Sequence, residues 1–516
     1  NKISKVINFL LKKKVSKGDR ILLISNNRIE WFVCDMAIMS VGAISVPSFS
    51  TNNVTDNEFI FKDSKPKIII LENEKIFNKN IKIFKNQKTK ILLLEKCSSF
   101  ISFLDLNTKN LDSVKLPVIK NKDISSIIYT SGTSGNPKGV MLSHESIIHN
   151  CEAAYNLLKS LNINKERFLS FLPLSHSYER MAGLYFPLSI GAQIFYCNSL
   201  EKINQDFLET KPTLVTAVPR LYESIYRKIK VKINKSGNFS NYLFQITLKL
   251  GDKKRNKNLT FIEQIFNFFL TILIRKKIRN IFGGKLKTFV SGGAALDPKI
   301  GDFFLNMGCT ILQGYGQTEA SPLISCNSFD DNKTSTVGKP VKNVKVKISN
   351  SGEILVQGKN IMLGYWNNKF LTKKTIKNNW LHTGDLGFFD NKKRLVINGR
   401  KKDLIVTSGG ENISPQKIES LLLSNEEIIQ AVVYGNSKPY LIAVLVSNKK
   451  TTQKKLTKII SDINSKLNKP ERIRKFIITN NEFTYSNGLL TQTLKIKKDA
   501  VHEHFFNQIQ KLYSNS

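Results

Sequence analysis

The sequence predicts an α/β protein, with a large N-terminal body of parallel α/β layers and a small α+β domain at the C-terminal end. Three observations carry that prediction. Short apolar runs of strand length alternate with helical segments through the first half of the chain, the rhythm of βαβ units in a parallel sheet. The pattern changes at Gly399-Arg400-Lys401-Lys402-Asp403, where a strand ends in a glycine and a charged run. The chain's 516 residues, 41% hydrophobic and 23% charged, suffice for about two to four domains with a large buried core.

The chain opens without Met on apolar residues at helical spacing (Ile3, Val6, Ile7, Leu10). This reads as the middle of a helix, with upstream residues and any targeting signal missing. A strand at 21–24, a helix over 30–41 ending at Gly42 and a strand at 44–46 before Pro47 follow. The rhythm recurs with strands at 68–71, 91–94, 213–218 and 288–290 and a helix over 221–229. Strands at 344–348, 353–357 and 394–397 form a more antiparallel part that closes the body. Beyond the charged run, Ser414-Pro415 opens a helix through Leu423, with Pro in the first turn. Strands at 431–434 and 440–446 and a helix over 456–467 complete a second domain. The expected division is a body over 1–399, a hinge at 400–403 and a small domain over 404–516.

Lys and Arg total 79 against 40 acidic residues, a net charge of +39. A basic nucleic-acid-binding protein would gather that charge into a stripe with interleaved aromatics; here Lys recurs in nearly every block, so no specific nucleic acid is expected. The charge favours anionic substrates. Six scattered Cys form no C-x-x-C pair and no zinc spacing, which suggests reduced, mostly buried thiols in a cytoplasmic setting. No apolar run reaches the roughly 20 residues of a membrane span. The nearest lies within 259–282, with a basic end from Arg275 to Arg279. The preferred reading is a core-packed helix whose cations suit its C-terminal dipole; the alternative is an interfacial helix in peripheral contact with the inner face of a membrane. Oligomeric state is not legible.

The strongest local signal is Tyr129-Thr130-Ser131-Gly132-Thr133-Ser134-Gly135-Asn136-Pro137-Lys138-Gly139, after an apolar strand. Glycines let backbone N–H groups approach a polyphosphate, hydroxyls donate further bonds, and Lys138 adds charge. It is not a Walker A loop, which would need Gly at 137 and Ser or Thr at 139. It is not a nucleophile elbow either, because Asn136 replaces the last Gly. Read alone, such a loop is also compatible with a flexible connector.

The segment resembles the phosphate loop of the adenylate-forming superfamily, which comprises acyl- and aryl-CoA synthetases, luciferases and peptide-synthetase adenylation domains. Further matches follow in order along almost the whole chain. Gly314-Tyr315-Gly316-Gln317-Thr318-Glu319, with Gln313 before it, resembles the adenine and magnesium segment. Trp380-Leu381-His382-Thr383-Gly384-Asp385 resembles the ribose segment and Gly399–Asp403 the hinge. Ser408-Gly409-Gly410-Glu411 resembles the segment beyond the hinge, and Leu494-Lys495 the catalytic lysine region. The resemblance implies a body with a small β-barrel-like part, a mobile C-terminal domain, and ATP, Mg²⁺ and CoA as cofactor and co-substrates.

Residue by residue, it implies that Tyr315 stacks the adenine between Gly314 and Gly316, that Glu319 supplies an oxygen to Mg²⁺, and that Thr318 stands beside it at the reacting groups. Asp385 would accept from the ribose hydroxyls, and Gly292, Gly293 and Ala294 would admit the base. Thr130, Ser131, Gly132, Thr133, Ser134, Gly135 and Lys138 would hold the phosphates. Arg400 would contact the nucleotide, Lys402 would be the pivot, and Gly409 and Gly410 would line the thiol's approach. Lys495 would meet the negative charge that gathers as a carboxylate attacks the α-phosphate. Many members carry Gly-Lys there. This chain has Leu494-Lys495, with Lys497 and Lys498 nearby, like long-chain members.

Leu172-Pro173-Leu174-Ser175-His176-Ser177-Tyr178-Glu179-Arg180 resembles the acyl-CoA synthetase form of another shared motif. No Asp occurs between Phe168 and Ala182 to hold an amino group, which argues against an amino-acid substrate. His176 has two open readings, ordering a carboxylate pocket or shaping a turn. Val218-Pro219-Arg220-Leu221-Tyr222-Glu223 and the extra segment at about 230–282 resemble the long-chain subgroup. The reading is therefore a long-chain fatty acid–CoA ligase, with a carrier-protein ligase as the alternative.

Overall fold

The computed structural model describes residues 2–106, 115–130, 137–197, 202–448, 451–491 and 495–514. Two mostly parallel sheets form the body. The first has eight strands and centres on Arg20–Ile24, flanked in parallel by Ile44–Ser48 and Ile68–Leu71. Toward one edge it carries an antiparallel hairpin, Ile124–Thr130 with Lys138–Ser143, bordered by the edge strand Gly364–Tyr365. The second has seven strands and runs parallel through Arg167–Ser170, Leu214–Ala217, Thr288–Ser291 and Ile311–Gly316. One apolar core draws Ile21 and Ile70 from the first sheet, Phe168 and Leu214 from the second, and Trp31 from the helix Ile29–Ser40. A five-stranded antiparallel sheet, the half-barrel, contains Val344–Ile348, Glu353–Gly358, Trp380–Phe389 and Leu395–Arg400.

Residues beyond 400 build cores of their own. In Ile428–Tyr434, Leu441–Ser447 and Ile473–Thr479, one pair is antiparallel and one parallel; helices including Pro415–Leu423 and Gln453–Asn464 pack on them. Every member of their two core clusters lies within this part of the chain. Single polar bridges tie it to the body: Tyr485 Oη donates to the Thr51 carbonyl at 2.6 Å, Ser414 Oγ to the Asn398 carbonyl at 2.9 Å, and Arg227 to the Ile429 carbonyl at 3.4 Å.

The segment 176–185 is clamped to both sheets. Arg180 is buried and bonds Asp35 at 2.5 Å and Tyr185 Oη at 2.8 Å; Tyr185 and Ser45 also donate to Asp35, each at 2.6 Å. These bonds from neighbouring groups help offset the desolvation of the buried ion pair, although Arg180 Nη1 has no hydrogen-bond partner among the described residues. On the other side, Thr216 Oγ1 donates to the Glu179 carboxyl at 2.8 Å. Burial raises that carboxyl to about 7, against the weaker lowering by its hydroxyl partners. Because the folded value lies above the unfolded one, this group's stabilising contribution falls as pH rises from about 4.5 to about 7. Glu179→Gln should escape that loss. Its melting temperature relative to the parent should rise between about pH 5 and about pH 8, by the equivalent of up to about 3 kcal/mol.

The apolar segment near 262–274 departs from the core-packed expectation. The helix Phe261–Leu270 runs on through the π-helical turn Thr271–Arg275 into Lys276–Ile281, and most of its large apolar side chains are exposed. The reason is the composition of its buried stripe, which includes Asn267 and Arg275. Among the described residues no disulfide joins the six Cys; Cys34, Cys309 and Cys326 are buried and the others partly so, and no helix is long and apolar enough to cross a membrane.

Candidate active site

A cleft of about 2530 Å³ lies where the two body sheets, the half-barrel and the C-terminal part meet. The hairpin places its first wall. Thr130 pairs with Lys138 and both line the cleft; Ser131, Gly132, Thr133, Ser134 and Gly135 lie outside the described residues. Lys138 Nζ stands 5.9 Å from the Tyr365 ring centroid, and Tyr365 Oη donates to Glu319 Oε1 at 2.8 Å. Tyr365 thus spans the cation at the hairpin and the carboxylate across from it. Sequence reasoning missed Tyr365; the signal was Gly364-Tyr365-Trp366, whose Gly364–Tyr365 strand pairs with Lys138–Ser143. Ser177 was also missed: its hydroxyl lies 2.9 Å from that of Thr318.

The second wall is the edge of the strand Ile311–Gly316, continued by Thr318 and Glu319. Tyr315 Oη donates to Asp385 Oδ2 at 2.7 Å, while Arg400 Nε donates to Asp385 Oδ1 at 2.9 Å. Asp385 is buried, and its backbone N–H donates to Thr383 Oγ1 at 3.0 Å. Burial and the Asp385 charge push the Tyr315 phenol well above its ordinary value, so it remains a donor. Gly316 cannot be larger: a Cβ there would stand 2.0 Å from the Pro322 carbonyl oxygen. Gln313 lies deeper, with its carbonyl accepting from Leu296 N at 2.8 Å and its amide donating to the Thr336 carbonyl at 3.2 Å. Gln313 therefore braces the turn that carries Gly292, Gly293 and Ala294, which line the cleft beside it. A Cβ at Gly292 would meet the Tyr178 ring at 2.9 Å.

His176 is half-buried at the cleft and accepts from Tyr178 N at 3.2 Å through Nδ1, which leaves its proton on Nε2. Burial and the nearby Lys495 ammonium lower it to about 4, so it is neutral at neutral pH. His176 shapes the turn that starts the short helix at Ser177 and lines the cleft. Lys495 comes from the C-terminal part. It is exposed to the cleft's solvent, yet partial desolvation by the protein around it, with the charge of Arg400, lowers its ammonium to about 8 against the opposing pull of Asp385. Of its basic neighbours, Lys498 is tied to Glu419 at 2.8 Å. Lys402 is exposed at the rim. Gly409 and Gly410 are not brought in; they stand exposed between the strands Ile405–Val406 and Asn412–Ile413, outside the cleft lining.

No cluster of three or more His, Cys, Asp or Glu that could hold a metal occurs among the described residues. Glu319 is a lone carboxylate with one oxygen taken by Tyr365. That fits a cation such as Mg²⁺, which takes one or two carboxylates and completes its shell from substrate phosphates and water.

A body of two parallel α/β sheets, a half-barrel, and a small domain that delivers a lysine to an aromatic–carboxylate–arginine cleft define the adenylate-forming class. The chain belongs to the AMP-binding enzyme family: residues 1–366 match it, and residues 402–516 match the AMP-binding enzyme C-terminal domain. It is an ATP-dependent acid–thiol ligase, and enzymes of this family use ATP and CoA. A long-chain-fatty-acid–CoA ligase of Mycobacterium bovis is 30% identical over 98% of this chain and 90% of its own. A chloroplastic long-chain-fatty-acid–[acyl-carrier-protein] ligase of Arabidopsis thaliana is 28% identical over 97% and 80%. In fold, the chain is similar to an anthranilate CoA ligase in complex with anthranoyl-AMP (TM-score 0.77, 20% identity, 98% and 90% covered). It is also similar to ATP-bound MatB of Rhodopseudomonas palustris (TM-score 0.75, 20% identity, 98% and 92% covered).

Proposed function

We propose that the protein is an AMP-forming long-chain fatty acid–CoA ligase. The observation that carries this reading is the meeting of Lys495 with Asp385, Arg400 and His176 in one cleft. In the first step a fatty carboxylate oxygen attacks the α-phosphorus of ATP, the bond to the bridging oxygen breaks, and pyrophosphate leaves with its electron pair. Asp385 holds the ribose hydroxyls, Tyr315 stacks the adenine, and Thr130 and Lys138 hold the phosphates with the loop between them. His176 directs Nε2–H at the acyl carboxylate, and Lys495 faces the charge building on the α-phosphate. Glu319, steadied by Tyr365, is the residue to hold Mg²⁺, which supplies charge neutralisation on the phosphates. In the second step the CoA thiol sulfur attacks the acyl carbonyl carbon, AMP departs, and the thiol proton passes to solvent.

Gly409 and Gly410 lie outside the cleft, so the second step calls for rotation of residues 404–516 relative to 1–399 about Lys402 within 400–403. The long-chain assignment is supported by the relatives' names and by the segment at about 230–282. The relative named as an acyl-carrier-protein ligase favours a second reading, in which a carrier protein replaces CoA. A cytoplasmic enzyme working at the inner face of a membrane would meet such fatty acids where they partition.

Pyrophosphate release with ATP·Mg²⁺ and a panel of fatty, aryl and amino acids, with and without CoA, tests the reading. Release should peak with long fatty acids, run at least about tenfold above aryl acids, and rise with CoA. Release that ignores CoA but rises with a carrier protein transfers the assignment to the second reading. No release with any acid overturns both.

A further inference from the structure

The helix running from Phe261 to Ile281 is inverted relative to an ordinary surface helix. Its buried stripe holds Asn267, Leu270, Arg275 and Ile278. Arg275 anchors the stripe: its guanidinium donates to the Asn306 carbonyl at 2.7 Å, the Thr271 hydroxyl at 2.9 Å, the Thr247 carbonyl at 3.1 Å and the Asn267 carbonyl at 3.3 Å. The apolar majority faces outward, with Ile262 78% exposed, Phe261 76%, Phe268 62%, Phe269 54%, Leu273 53% and Ile272 49%. The start of the helix is fixed by a reciprocal cap between Thr260 and Glu263. This orientation therefore belongs to a well-anchored helix and not to a frayed segment.

The surroundings indicate what covers this face. At its C-terminal end stand exposed Lys276, Lys277 and Arg279, and across from its start Lys254 and Lys257 are exposed. The nearby acids are already matched: Glu263 pairs with Lys253 at 2.5 Å and Asp252 with Arg255 at 2.8 Å. An apolar face flanked by cations that pair with no acid among the described residues complements a surface that is apolar inside and anionic outside. At about 1.5 Å per residue, the helix lies along roughly 30 Å of such a surface. We infer that this helix seats the protein on an anionic lipid bilayer, with its aromatic and aliphatic side chains among the acyl chains and Lys276, Lys277 and Arg279 at the head groups.

The test is co-sedimentation of the full chain with vesicles of phosphatidylcholine alone or mixed with phosphatidylglycerol. The protein should sediment with the mixed vesicles. A Phe261→Ser/Phe268→Ser/Phe269→Ser variant should lose at least about tenfold in partitioning, and Lys276→Glu/Lys277→Glu a similar factor on mixed vesicles only. Both variants should keep the parent's rate of pyrophosphate release with a water-soluble acid, a readout that stands or falls separately with the ligase reading. Failure of the parent to bind mixed vesicles, or undiminished binding by both variants, overturns the inference. So does a parent dimer that the Phe variant converts to monomer with no vesicle binding in either, which would assign the face to a second copy.

Discussion

Lys495→Ala is expected to slow pyrophosphate release by about 10²–10³-fold, a loss of about 3–4 kcal/mol of transition-state stabilisation. The reason is positional. The adenylation transition state gathers negative charge on the α-phosphate, and Lys495 is the ammonium on which Arg400 and Asp385 act within the cleft. Thioester formation from preformed acyl-adenylate should survive in the variant, because that step no longer forms the phosphate-centred charge. A loss confined to the first half-reaction separates this role from a general folding defect. The ammonium lies near about 8 through crowding and the charge of Arg400, so the competent charged form disappears as pH rises past that value. Single-turnover adenylation should show a descending alkaline limb there. Lys495→Arg, whose guanidinium stays charged, should retain partial activity and lose the limb.

Asp385→Ala should raise the KM for ATP by about 10²-fold, equivalent to about 3 kcal/mol, with a smaller change in maximal rate. Asp385 is buried and already accepts from Tyr315 and Arg400, so its orientation is set before nucleotide arrives. Removing it takes two charge-assisted acceptors from the ribose and leaves the Tyr315 hydroxyl without its partner. Tyr315→Phe deletes only the phenolic bond and should cost less than about fivefold. Isothermal titration with ATP in the absence of fatty acid would separate binding from turnover. Equal affinities in parent and Asp385→Ala would remove Asp385 from the nucleotide site.

Much of this arrangement was legible in the sequence because the physical signals are local. The strand Val344–Ile348 and the helix Pro415–Leu423 stand where alternation and the Ser-Pro start place them. Tyr315, Asp385 and Arg400 are far apart in sequence yet meet, since Asp385 pairs with Arg400 across neighbouring strands of the half-barrel and both face the cleft that the strand of Tyr315 borders. Tyr365 was harder to read: Gly364-Tyr365-Trp366 marks a short strand, but its bond to Glu319 depends on that edge strand pairing with the hairpin. The orientation of the helix from Phe261 was equally hidden. Glu263, Gln264, Asn267 and Thr271 share one side and most apolar residues the other, and only the tertiary bonds of Arg275 decide which side faces in. The positions of Gly409 and Gly410 depend on how the C-terminal part is turned, a rigid-body property that no residue encodes alone.

The separate cores beyond residue 400 bear on how the molecule comes apart. A unit that buries Ile418, Leu441 and Val444 against its own residues, and meets the body through isolated polar bridges, has little reason to melt with it. Heat capacity traces of the protein by itself should then resolve as two overlapping transitions, neither of which alone measures the stability of the whole. A nucleotide gripped by Asp385 on one side and Lys495 on the other would act as a weld, drawing the two transitions toward one.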